Sequence, residues 1–493
     1  MLTEDKMLAE LRALGWDVYA ASVVEEWDTF YCLACGPEGK VLVVQGDTDG
    51  FEGEMREGIL VGALTSANAA ALRERLAWLR PQPLGLATSA GCGDRLGLAT
   101  PGHIRAVRAV GGEIAPILAQ QSMRENARTG RTPQQVLDDA MWGIFQEGWR
   151  QPWGADADHL KTTDDVDLCV AAGYTFFTVD PGAHVDNAAH TDGLPTLREK
   201  FVALPWDALE TNAGAMKAQY LGGAQVIEDF TLTFDEETLL RAACKYGRAI
   251  AHTAAMYRHL AAHCPKAAGS AKRDAQPFEF EVSVDETDTP TSPLEHVFIV
   301  RELRRMGVQW VSLAPRYVGR FEKGVDYIGD LGEFDAEFAR HAAIARVLGP
   351  YKLSIHSGSD KFSVYPMMAK HTRRLAHLKT AGTSYLEALR ALATAAPAFF
   401  RDILTLARAR YDEDRATYHV SADVTRTPDP ATLGDTELPG VLDTFDGREV
   451  LHVTFGSVLD KYGERLLKLL DDNEETHYAA IEAHFVKHLT PFK

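Results

Sequence analysis

Long apolar runs are missing from this sequence. No uninterrupted stretch approaches the ~20 residues that a membrane-spanning helix needs, so an integral membrane role is not expected. Basic residues are in deficit: 51 Lys and Arg against 70 Asp and Glu give a formal charge of −19. A nucleic-acid or anionic-membrane surface requires a basic field and is excluded on that ground, although a local basic pocket for a small acid is not. Cysteine is sparse, with six residues at 32, 35, 92, 169, 244 and 264. Only Cys32 and Cys35 form a CxxC, and no second pair completes a zinc site, so a buried thiol pair is expected. The N-terminal MLTEDKMLAELRALGW reads as an amphipathic helix without the apolar core or cleavage site of a signal peptide, which points to the cytoplasm. A dinucleotide fingerprint is also absent. Gly91, Gly93 and Gly97 come near it, but Leu96 stands where the third glycine belongs.

What is present fits an ordinary globular chain, 46% hydrophobic and 25% charged. Residues 1–82 read as an N-terminal α+β extension, with a hairpin turning at Gly36-Pro37-Glu38-Gly39. From residue 83 short apolar strands alternate with helical stretches, the pattern of a parallel α/β fold. Strand candidates are LGLATSAG, PILAQQS, GADADHLKT, YTFFTVDPG, PFEFEVSVDET, VQWVSLAP and YKLSIH. An eighth is poorly defined near LKTAGTSYLEALR, and a long helical section over about 205–265 reads partly as an insertion. These units predict a (β/α)8 TIM-type barrel over 83–400, with a doubly wound open sheet as runner-up. A mainly helical closing region at 401–493 would pack on the barrel.

Side chains alternate along a strand, so Ser354 and His356 share one face and Leu353 and Ile355 the other. Glu279, Glu281, Ser283 and Asp285 likewise oppose Phe278, Phe280, Val282 and Val284. Polar inner faces suit a barrel whose reactive groups gather where strands end. Those ends offer Asp158, His159 and Lys161; Glu281, Asp285 and Glu286; Arg316 and Glu322; and His356. Two histidines and a carboxylate from separate strands would form an open nitrogen–oxygen shell for one divalent ion, Zn, Mn, Co, Ni or Fe. Such an ion polarises a carbonyl or alkoxide, and leftover carboxylates such as Asp158 and Glu281 move protons. The structural alternatives are a helix cap for Asp158, a core histidine for His159, a surface charge for Glu322, and a turn shaped by Asp285 and Glu286.

GDRLGLATPGH, GADADHLKT, EVSVDETDTPTSPLEH, LAPRYVGRFEKGVDYIGDL and LSIHSGSDKFSVYP together resemble the tagaturonate epimerase family over residues 84 to 395. The resemblance implies a metal-dependent barrel enzyme interconverting tagaturonate and fructuronate, with some members acting on tagatose. It implies Asp158 as proton acceptor and His159 and His356 as metal ligands. Glu281 would be the proton donor, with Glu286 left open, and Glu322 the remaining ligand. Lys161, Arg316 and Lys361 would pair with a uronate carboxylate, and Ser357 and Ser359 would bind hydroxyls. The expected partner is a small keto-hexuronate or ketohexose, and a homo-oligomer is left open.

The inverted carbinol lies two carbons from the ketone, so its C–H is not acidified by the carbonyl. Metal-assisted retro-aldol cleavage, rotation and re-bonding avoids that barrier, and direct proton transfer at carbon and transient oxidation are the alternatives. Two competing readings remain from the sequence: a metal-dependent ketose isomerase or aldolase, and a sugar-acid-binding barrel without turnover.

Overall fold

A computed structural model describes residues 4–13, 15–36, 39–264 and 277–493. Eight parallel strands close into a barrel: Ser89–Gly91, Ala115–Ser122, Gly154–Leu160, Phe176–Val179, Glu279–Ser283, Ser312–Ala314, Lys352–Ile355 and Ala376–Lys379. Neighbours in the ring are neighbours in sequence, and the eighth strand pairs with the first, His377 lying opposite Ser89. The expected barrel is therefore present and the open sheet is not. The eighth strand is AHLK, just upstream of where the sequence pointed. The segment Thr383–Ala395 is helix instead.

Register explains the barrel interior. Thr178 pairs with Glu281, Glu281 with Ser312, and Ser312 with Lys352, so one inner row is polar on four adjacent strands. The alternate residues Phe177, Phe280, Val282, Leu353 and Ile355 point outward into the main core beneath the helices. Barrel interiors are more often filled by branched apolar side chains; here burial of charge must be compensated by partners.

The N-terminal extension is a six-stranded sheet, in which Thr29–Gly36 pairs antiparallel with Gly39–Gln45. Gly36 faces Gly39 across the expected turn, whose residues Pro37 and Glu38 lie outside the described residues. Cys32 and Cys35 both sit in Thr29–Gly36, three apart and so on opposite faces. Cys32 is buried and Cys35 half-buried, and both are free thiols, so the expected buried pair does not form.

Between the fourth and fifth strands the insertion holds helices Leu194–Val202 and Ala213–Tyr220. It also holds a hairpin, Ala224–Ile227 with Phe230–Thr233, before the long helix Glu236–His263 returns to the barrel. The last helix, Glu474–Leu489, packs on Thr100–Val110, the helix after the first strand. That approach requires Gly102, because a Cβ there would meet Ile481 Cβ at 2.6 Å. The helix itself is entered through Asp94, whose carboxylate accepts the backbone N–H of Leu96, Gly97 and Ala99. Loop capping is thus what the glycine-rich stretch does. A second apolar core joins Thr383–Ala395 to the helices beyond 397. Among the described residues, no helix is long and apolar enough to cross a membrane.

Candidate active site at the barrel mouth

The third and seventh strands bring His159 and His356 together from 197 residues apart, with His159 Nε2 3.5 Å from His356 Nδ1. Each imidazole is held from behind by a carboxylate. Asp158 Oδ1 lies 2.8 Å from His159 Nδ1, and Glu281 Oε1 lies 2.6 Å from His356 Nε2. Carboxylates on the far nitrogen fix ring orientation and free the near nitrogen as a ligand. His159 also has a left-handed backbone, φ 54°, a strained state that persists where surroundings enforce it.

Asp285 closes the group. Its Oδ1 is 3.3 Å from His356 Nδ1 and 3.7 Å from His159 Nε2. Glu286 Oε1 stands 3.8 Å from His159 Nε2 and pairs with Arg124 at 3.0 Å. An ion with bonds of ~2.1 Å separates tetrahedral ligand atoms by ~3.4 Å. Two imidazole nitrogens and Asp285, spaced by 3.3 to 3.7 Å, fit such an ion. Glu322, expected as the third ligand, is not brought to the histidines. Its Oε2 accepts Ser421 N–H and O–H, each at 2.8 Å, and its Oε1 lies 3.4 Å from Arg320. The ligand reading thus passes from Glu322 to Asp285, which sequence reasoning had given to a turn.

Behind the histidines sits a cation that the sequence reading missed. Lys379 Nζ lies 2.7 Å from Asp158, 2.8 Å from Asp156 and 2.9 Å from Glu281, and donates to Thr178 Oγ1 at 2.6 Å. Burial opposes ionisation of Asp158, yet His159 and Lys379 hold its carboxyl well below the usual range. Glu281 is held low in the same way, by Lys379 and His356 against burial. Asp156 is the exception: burial, then Asp158 and Glu281, push it up to about 7 despite Lys379. Burial would also lower both imidazoles. Asp158 instead lifts His159 well above its ordinary value, and Asp285 and Glu281 raise His356 against both burial and Lys379. The signal for Lys379 was the alternation in AHLK, which sets His377 and Lys379 on one face.

A cavity of about 480 Å³ opens in front of His356, lined by Asp285, Glu286, Arg316, Glu322, Lys323 and Ser357 among others. Tyr418 and His419, from beyond the barrel, complete the wall. Of the substrate-binding expectations, Arg316 and Ser357 line this space. Lys361 does not: it is fully buried, and its Nζ donates to the carbonyls of Glu322, Val325 and Ser359. Those three carbonyls leave no donor free for a carboxylate. Ser359 is buried with its hydroxyl given to Ala381 O at 3.1 Å, and so binds no ligand hydroxyl. Lys161 reaches Asp180, 3.1 Å away, outside the cavity wall. Asp158 and Glu281 back the imidazoles and are likewise not in that wall.

Arg124 and Arg320 are committed to Glu286 and Glu322. Neither Arg316 nor Lys323 has a carboxylate partner among the described residues. Burial lowers the proton affinity of Arg316, against the opposing pull of Asp285 and Glu337.

A polar, charge-lined mouth on a closed parallel barrel defines an enzyme of the (β/α)8 class acting on a small polar molecule. Comparison with known proteins narrows the class. The family model for tagaturonate epimerase matches residues 19–492, and the chain belongs to that family, an isomerase of the carbohydrate-epimerase type. It is 43% identical over 484 residues to the tagaturonate/fructuronate epimerase of Thermotoga maritima, covering 96% of each chain. Crystal structures of fructuronate–tagaturonate epimerase from Cohnella laeviribosi, native and glycerol-complexed, superpose with a TM-score of 0.91. They are 35% identical to this chain, with 99% of both chains covered.

Proposed function

We propose that this chain interconverts D-tagaturonate and D-fructuronate at the barrel mouth, with one divalent transition metal held by His159, His356 and Asp285. The observation that carries the reading is the facing pair of carboxylate-backed imidazoles beside the cavity. The names of the Thermotoga maritima and Cohnella laeviribosi relatives supply the substrate pair. Zn, Mn, Co, Ni and Fe all suit this donor set. When bound, the ion supplies Lewis acidity toward the ketone.

The protein's own groups do the rest. Glu286, at the cavity wall beside Arg124, takes the carbinol proton in preference to the enclosed Glu281. As that proton leaves, the bond between the carbinol carbon and its neighbour breaks, and its electron pair passes toward the ketone. The aldehyde fragment turns, the bond re-forms on its other face, and a proton returns to the new hydroxyl. Bonds and protons balance without an oxidant. Asp158 and Glu281 orient the imidazoles, and Lys379 holds both carboxylates in place. Arg316 and Lys323, lining cations that form no ion pair among the described residues, receive the uronate carboxylate. Tagatose and fructose, which lack that group, are slower substrates on this reading.

The test is metal analysis followed by turnover of tagaturonate before and after chelation. Loss on chelation and recovery on adding one equivalent of metal support the reading; undiminished turnover by metal-free protein refutes it. Trapped or exchanged fragments during turnover support cleavage, and solvent deuterium at the inverted carbon refutes it.

A further inference from the structure

A second group of metal-ligating side chains lies on the outside of the barrel, on two neighbouring helices. Thr163–Ala172 follows the third strand, and Glu236–His263 packs beside it. His259 and His263 are four residues apart and share one helical face. Their rings lie parallel, with centroids 4.1 Å apart and planes at 24°. Asp167 reaches across from the other helix, its Oδ1 2.7 Å from His259 Nε2. His263 Nδ1 sits 2.8 Å from the carbonyl oxygen of His259. That acceptor assigns the ring proton to Nδ1 and leaves Nε2 with a free lone pair, the tautomer that metal ligation requires.

The buried cluster of Asp360, His484 and His488 shows what a purely structural version looks like. There His488 Nε2 already accepts the backbone N–H of Asp360 at 2.9 Å, and Arg448 neutralises Asp360 at 2.9 Å. At the outer site, one ligand atom from each of the three residues lies within 4.8 Å of the other two. Asp167 and His263 are exposed and His259 is half-buried, so an ion arrives from solvent without opening the fold. No cation faces the group in any ion pair among the described residues other than that of His259 itself.

We propose that Asp167, His259 and His263 form a transition-metal site that fastens these two helices together. Two imidazoles and one carboxylate favour zinc, copper, nickel or cobalt over the oxygen-preferring magnesium and calcium. The remaining positions belong to water. The site shares no residue with the barrel mouth, and its occupancy is independent of turnover.

Calorimetric titration of the full chain with Zn²⁺ alone tests this, using H263A and H356A. Wild type and H356A should both show the outer binding event, and Zn²⁺ should raise the Tm of both. H263A should bind there at least tenfold more weakly, gain no stability from that event, and keep its turnover. An H263A titration identical to wild type, or no event in H356A, overturns the proposal. If H356A loses one of two events and keeps the one that H263A lacks, the outer site is supported and the barrel mouth is tested separately.

Discussion

Two pairs of histidines divide this molecule, and they differ in what stands behind the ring. His296 and His341 lie outside the barrel, between its helices, with their Nδ1 atoms 2.8 Å apart and Tyr351 O–H 2.8 Å from His296 Nε2. Among the described residues no carboxylate pairs with them, and burial lowers both, His341 to about 4. His159 and His356 are held as firmly, but each has a carboxylate at its back and Asp285 in front. Burial makes a histidine neutral and inert; carboxylates beside it restore basicity and make it a ligand or a proton carrier. The first pair packs helices together, whereas His356 of the second lines a cavity, with His159 in contact behind it.

The strongest way to break this contrast is to remove one ring from each set. H356A or H159A should lower turnover by about a thousandfold or more, ~4 kcal/mol of barrier, with the fold retained by circular dichroism. H341A should leave turnover within a few-fold and instead lower stability. Equal losses of activity would erase the distinction. A sharper version compares carboxylates: D285N should lose metal on dialysis, and E322Q should keep it. The reverse result would return Glu322 to the ligand role.

Lys379 offers the next largest effect. K379M leaves Asp156, Asp158 and Glu281 without their shared counter-ion. Breaking a buried pair in this way costs about 3–5 kcal/mol, measurable by urea unfolding. A change below 1 kcal/mol would mean the three carboxylates are compensated otherwise. R316Q should then raise KM for tagaturonate about 10- to 100-fold, the worth of a charge-assisted hydrogen bond, while leaving tagatose little affected. Equal losses on both sugars would deny Arg316 the carboxylate.

The smallest effect per residue is a pH slope. His103, His341 and His477 sit near 4 when folded, and His377 and His488 near 3, all because burial disfavours their charged form. Unfolded histidine titrates near 6.5. Between those values the unfolded chain binds more protons, so stability is complete above about 6.5 and falls as pH drops toward 4. Each such histidine contributes about 1.4 kcal/mol per pH unit across that window. Unfolding midpoints that stay flat from pH 7 to 4.5 would contradict the neutral assignment.

Much of this was legible in the chain. Alternation in EFEVS and KLSIH placed Glu281, Ser283, Ser354 and His356 on inner faces, because the two-residue period survives any tertiary context. AHLK alternates in the same way, but the strand is four residues long and runs at once into TAGTSYLEALR, where the sequence pointed for the eighth strand and whose helical period masked Lys379. Glu322 and Lys361 misled for a different reason. Both lie on loops after strands, where sequence order says nothing about which way a side chain turns. Ser421, a hundred residues further on, claims one, and three backbone carbonyls claim the other. Tyr418 and His419 reach the cavity from beyond the barrel, a contact that no local pattern encodes.

Our proposal places one ion between His159, His356 and Asp285 at the barrel mouth. Anomalous diffraction at the metal's absorption edge, on crystals of active protein, tests it most directly. A peak within bonding distance of His159 Nε2, His356 Nδ1 and Asp285 is expected. A peak beside Glu322 instead, or none at the mouth of a protein that still turns over, would contradict that placement.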